Sequence, residues 1–176
     1  MAFVATDLAA RYSVTTGAVG GATAGTPAGS LGRWCSTTAV DWATVFDTIT
    51  AAENAAGTTD YRCIFLVNPT STTMANLVVW IDPPQGPPGA TVYLAVDPAG
   101  ASAVTSATAQ AAQIATETTA PAGVTGWSLP PAGSPLALGD LPGGSCIALW
   151  LKRTVNAAGQ VIGDGCTLHF RSAQVA

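Results

Sequence analysis

Apolar residues recur along this chain in strand-length runs. Residues 61–68 (YRCIFLVN) place Tyr61, Cys63, Phe65 and Val67 on one face of a period-two segment and Arg62, Ile64, Leu66 and Asn68 on the other. Both faces are largely apolar, which predicts a central strand covered on two sides. Pro69 ends it, because proline has no N–H to give to a ladder. Strands of the same kind are expected at residues 76–82 (NLVVWID), 91–97 (TVYLAVD), 145–155 (SCIALWLKRTV) and 165–172 (GCTLHFRS). Residues 101–119 read as weaker strand pieces, with a helix by alanine content as the alternative, and 122–129 read as another short strand. Residues 130–144 (PPAGSPLALGDLPGG) read as a loop that drops Leu136, Leu138 and Leu141 towards a core, and NAAGQ at 156–160 reads as a hairpin turn.

One segment follows a different period. In residues 41–56 (DWATVFDTITAAENAA), Trp42, Val45, Phe46 and Ile49 fall at i, i+3, i+4 and i+7. That is the stripe of a short amphipathic helix with Asp41 as its cap, though the β-branched content also permits strand-and-turn; Gly57 ends the segment either way. Residues 1–38 show no period. VTTGAVGGATAGTPAGSLG is small, polar and glycine-rich, so it reads either as a flexible tail or as an extended arm that orders against a neighbour. The expected organisation is an N-terminal arm over 1–38 and an all-β domain over 39–176. Some seven short strands punctuated by Gly and Pro match an antiparallel β-sandwich, Ig-like or jelly-roll-like, with at most one short helix. No βαβ alternation supports a parallel sheet.

Composition changes the picture in one respect. Of 176 residues 48% are hydrophobic but only 9% are charged, against roughly 25% in an ordinary soluble domain. So neutral a chain suits a protein that is covered by others in an assembly; the competing reading is a Thr/Ser/Gly-solvated secreted domain. The six basic residues (Arg11, Arg33, Arg62, Lys152, Arg153 and Arg171) are scattered and the net charge is −4, which argues against nucleic-acid binding. No secretory leader or membrane-length apolar run is evident, so synthesis in the cytoplasm is expected and no membrane partner. Cys35, Cys63, Cys146 and Cys166 then read as reduced, mostly buried thiols, and no CxxC spacing suggests zinc.

Candidate chemistry is sparse. His169 is the only histidine; Ser145 and Ser172 are near it in sequence, but no G-x-S-x-G elbow accompanies them. The ten acids stand mostly beside Pro or Gly, at expected strand ends, without the spacing of a calcium loop. No catalytic residue, metal ligand or cofactor is therefore assigned, and the chain is expected not to be an enzyme. Five tryptophans remain. Trp80 and Trp150 lie in strong strands and read as core. Trp34 and Trp127 lie among glycines and read as exposed anchors for a subunit or a sugar.

The segments YSVTTGAVG (12–20), SLGRW (30–34), FDTITAAENAAGTTDYRCIFLVN (46–68), NLVVWI (76–81), ETTAPAGV (117–124) and LALGDLPGGSCIALWLKRTV (136–155) resemble small accessory virion structural proteins of tailed bacteriophages. The resemblance identifies no active site. It implies a virion location and a capsid decoration (cement) role, with a tail adaptor or tail-tip receptor- or glycan-binding module as the alternative. It further implies contacts with the major capsid protein or tail proteins, and assembly as a dimer or trimer. Candidate interface residues are Tyr12, Leu31, Trp34, Trp127, Leu136 and Leu138. LGDLPGGSC should lead back into a strand that pairs with residues 61–68.

Overall fold

The computed structural model of the chain describes residues 7–82, 89–156 and 165–173. Nine strands and one helix follow in the order β1 (Ala9–Val14), β2 (Trp34–Ala39), α1 (Ala51–Ala56), β3 (Thr59–Val67), β4 (Met74–Asp82), β5 (Thr91–Val96), β6 (Ser102–Ala103), β7 (Leu136–Leu141), β8 (Ser145–Thr154) and β9 (Thr167–Ala173). Six strands form the larger sheet in the order β2-β1-β3-β8-β5, with β6 also on β8, and three form a smaller sheet in the order β7-β4-β9. All pairings are antiparallel. The fold is the expected all-β sandwich.

The apolar periodicity explains the layers. On β3 and β8, Ile64, Leu66, Ile147, Leu149 and Leu151 face Met74, Leu77, Val79, Ile81, Leu138 and Leu141 of the smaller sheet and form the core between the sheets. The alternate residues Cys63, Phe65, Val67, Cys146, Ala148 and Trp150 form a second core on the opposite face. Ala111, Ile114 and Val124, from the coil between β6 and β7, cover that face. The expected double covering of residues 61–68 is met by a sheet on one side and coil on the other. β3 pairs with β8 without interruption from Thr59↔Thr154 to Val67↔Cys146, as the LGDLPGGSC segment predicted.

A coil layer over a core must satisfy its own backbone groups. Buried polar side chains do this. Asp97, 2% exposed, accepts from the indole Nε1–H of Trp150 and the N–H of Ala112, both at 2.9 Å, and thereby holds the coil against the sheet. Gln110 accepts from the Cys35 N–H at 2.8 Å and donates to the Ala103 carbonyl at 2.8 Å. Ser30 donates its hydroxyl to the Cys63 carbonyl at 2.7 Å, and its own carbonyl accepts from the Cys63 N–H at 2.8 Å. It thus completes the edge of β3 beyond the end of β1.

Several expectations are corrected. The described part of residues 1–38 is no arm outside the sandwich: β1 lies between β2 and β3, and Tyr12 and Trp34 are each 3% exposed. β1 alternates weakly (AARYSV), and a glycine-rich excursion separates it from β2, so neither strand stood out. The helix begins nine residues later than the stripe proposed, at Ala51. Thr50 caps it in a box with Glu53, and Gly57 closes it at φ 69°. Asp41 instead accepts from the Ala43 N–H within a turn. Residues 122–129 form no strand: Gly123 and Gly126 take positive φ, and only Ser128 bonds to Leu94. Within 130–144, expected to be loop, Leu136–Leu141 is strand β7. The hairpin turn expected at 156–160 falls mainly outside the described residues, but β8 and β9 belong to different sheets, so they are not hairpin partners.

Gly32 shows how closely the coil lies on the sheet. At φ 91°, an added Cβ would overlap the Ala112 carbonyl and meet the Trp150 ring at 3.0 Å. Gly32→Ala should therefore destabilise the chain by about 3 kcal/mol, combining backbone strain with overpacking. A urea titration monitored by tryptophan fluorescence measures this; an unchanged midpoint refutes the close packing.

Candidate functional site

The outer-face residues of β3, β8 and β5 change character towards one end. Along β3 the series runs Val67, Phe65, Cys63, Tyr61; along β8, Cys146, Ala148, Trp150, Lys152; along β5, Ala95, Tyr93. Tyr61, Lys152 and Tyr93 are direct cross-strand neighbours. The coil adds Trp127, whose ring meets Tyr61 edge-on at 5.5 Å and 63°. Lys152 Nζ stands 4.4 Å from the Tyr93 ring centre and 5.1 Å from that of Trp127. All four side chains are half-buried. The β-pleat fixes the row, and packing of the coil fixes Trp127. The result is an aromatic platform with one ammonium in it.

Among the described residues no carboxylate pairs with Lys152. The hydroxyls of Tyr61 and Tyr93 and the indole N–H of Trp127 likewise have no hydrogen-bond partner there. The arrangement can bind: it offers flat apolar surface for stacking and several donors at its rim. It contains no nucleophile held by a base.

On the inner face, the same end of the sandwich holds a charge network. Arg153 donates to Asp60 through Nε and Nη2, at 3.1 and 2.7 Å, and to Asp47 through Nη2 at 3.0 Å. Arg62 pairs with Glu117. Phe46 lies under both guanidinium groups, 4.7 Å from that of Arg153 and 5.9 Å from that of Arg62. Asp60, Arg62 and Arg153 are buried. Removal of one partner from such a network strands a buried charge.

Cys35, Cys63 and Cys146 are free and buried, and Cys166 is half-buried. Contact with the Cys146 sulfur, then burial, pushes the Cys35 thiol far up; burial pushes up that of Cys63. Neither is poised as a thiolate nucleophile. His169 stacks on Trp80 at 5.2 Å and 12°, in register across β9 and β4. Ser145 lies on β8 in the other sheet. Trp80 is thus half-buried on the outer side of the smaller sheet and not core, whereas Trp150 is fully buried. Among the described residues no three His, Cys, Asp or Glu side chains are grouped as a metal site requires, and no helix is long and apolar enough to cross a membrane.

The six interface candidates do not form one surface. Tyr12, Trp34 and Leu138 are buried within the chain at 3, 3 and 8% exposure. The Tyr12 hydroxyl accepts from the Asp41 N–H at 2.9 Å, an internal role. Leu31 and Trp127 are half-buried against the outer-face core, and Leu136 against the core between the sheets. Among the described residues the exposed large hydrophobic side chain is Trp42, at 45%, which the helical stripe had turned inward. The platform residues Tyr61, Tyr93 and Lys152 were missed. Their signal is present in the strands: each outer-face apolar series ends in an amphipathic side chain at the same level.

Comparison of the chain with family models, with curated proteins and with solved structures finds no match.

The charge network makes a clear prediction. Asp60→Asn leaves the Arg153 guanidinium buried with only the exposed Asp47 to balance it, and should cost about 3 kcal/mol. Thermal unfolding of the variant checks this; a loss within error of zero would mean that the network contributes nothing to the fold.

Proposed function

We propose that this chain is a structural virion protein of a tailed phage, acting as a capsid decoration (cement) protein that stabilises the head through contacts between subunits. One observation carries the reading: charged residues make up only 9% of the chain, and several of them are turned inward or engaged with buried partners. Of six basic and ten acidic side chains, Asp60, Arg62, Asp97 and Arg153 are buried, and Asp47 and Glu117 are engaged with the buried arginines. What is left on the surface is largely Ala, Thr, Gly and Pro. Such a surface loses little desolvation energy when a neighbour covers it. At roughly 25 cal/mol per Å2, a few hundred Å2 of apolar contact contributes several kcal/mol before ordering costs. Repeated over a shell, modest contacts add up.

The contact surface of this reading differs from an N-terminal arm. Because β1 and β2 are strands of the larger sheet, removal of residues 1–38 would unmake the sandwich and report nothing about attachment. The available surfaces are Trp42, the outer side of the smaller sheet around Trp80 and His169, and the half-buried Leu31 and Leu136. The partners are the major capsid protein and further copies of this chain, as a dimer or trimer. The second reading, a tail-associated adaptor or a receptor- or glycan-binding module, draws on the aromatic platform around Lys152.

Gel densitometry of purified virions that carry the gene tests both. A copy number comparable with that of the major capsid protein is expected for decoration, and a small fraction of it supports the tail reading. Absence of the chain from the particle overturns both.

A further inference from the structure

We propose that the platform of Tyr61, Tyr93, Trp127 and Lys152 is a binding site for a saccharide bearing a carboxylate, such as a uronic acid residue. The inference extends the second reading above, and it concerns binding by the isolated chain, wherever in a particle the chain resides. Three features converge. Flat aromatic surface is presented by side chains that sheet register and coil packing already hold in place, so little ordering remains on binding. Sugars offer C–H faces that stack on such rings. The polar rim is unsatisfied: two phenol hydroxyls, one indole N–H and one ammonium have no partner among the described residues. That is a rim of donors facing a ligand rich in acceptors.

The charge selects within that class. Lys152 Nζ lies between two rings, at 4.4 and 5.1 Å from their centres, and no described carboxylate neutralises it. The chain's other buried or half-buried cations at this end, Arg62 and Arg153, are both paired with acids. Lys152 is the cation left over. A ligand carboxylate would supply the missing counter-charge as a charge-assisted hydrogen bond while the sugar ring lies on Trp127.

The probe is trigalacturonate, with its methyl ester as the neutral control, titrated into the full chain and followed by NMR. Saturable binding of the acid is expected, with the methyl ester about tenfold weaker, in line with the loss of one charge-assisted bond. Lys152→Gln should reduce affinity for the acid by the same factor and leave that for the ester unchanged. Trp127→Ala should weaken both. Circular dichroism and thermal unfolding establish that each variant is folded; Lys152→Gln is the decisive one, because its side chain is half-exposed and anchors no backbone. Equal affinity for acid and ester, unchanged binding in Lys152→Gln, or no saturable binding by the native chain would each overturn the proposal. None of these outcomes bears on copy number in a particle, so the virion reading stands or falls separately.

Discussion

The fold depends on one constraint: β3 and β8 are apolar on both faces, but the described residues offer one other sheet to pack on. The second face must be covered by chain that has no ladder of its own. Coil is a poor cover unless its N–H and C=O groups are satisfied beneath it. Asp97, Gln110, Ser13 and Ser30 answer that need from buried positions. Each bonds to backbone, and Asp97 also ties the cover to the largest side chain in the core, Trp150. The outer layer is thus specified by a handful of polar contacts and not by periodic hydrogen bonding.

The same economy governs charge. A chain with so few ionisable groups places several of them at one end of the sandwich, where the inner-face series of β3 and β8 finishes in Asp60, Arg62 and Arg153. There they seal the core against water through mutual pairing and through Phe46. On the opposite face of the same strands, Tyr61 and Lys152 do the equivalent job with aromatic rings and an ammonium. The two faces end at the same level by different chemistry. At the inner end both cations are paired with acids, and the outer end is left with a donor surplus.

Strand existence was legible wherever the apolar signal was strong. Residues 61–68, 76–82, 91–97 and 145–155 needed no tertiary information, because bulky β-branched and aromatic residues stood between Pro or Gly stops. What escaped had weak local contrast. β7 (LALGDL) is bent by Gly139 and opposes an irregular stretch of β4 around Asn76, so it shows no clean alternation. β1 and β2 are defined by what they pair with. Tyr12 and Trp34 looked like anchors for a neighbour because their surroundings are small and polar, yet those small residues are what allows the coil to close over them. The platform was not readable one strand at a time, since Tyr61, Tyr93 and Lys152 become neighbours only once the register of three strands is known.

From β3 onward, most links carry the chain from one sheet to the other. The two central strands are consequently far apart in sequence although they are paired residue for residue. During synthesis β3 leaves the ribosome long before β8, and until β8 arrives both β3 and β5 lack their principal partner. A topology so rich in distant pairings folds slowly and holds apolar strand edges open while it waits. The sparing use of charge that suits the finished surface offers that nascent chain little repulsion against its copies, and it is the arrival of residues 145–154 that closes both open edges.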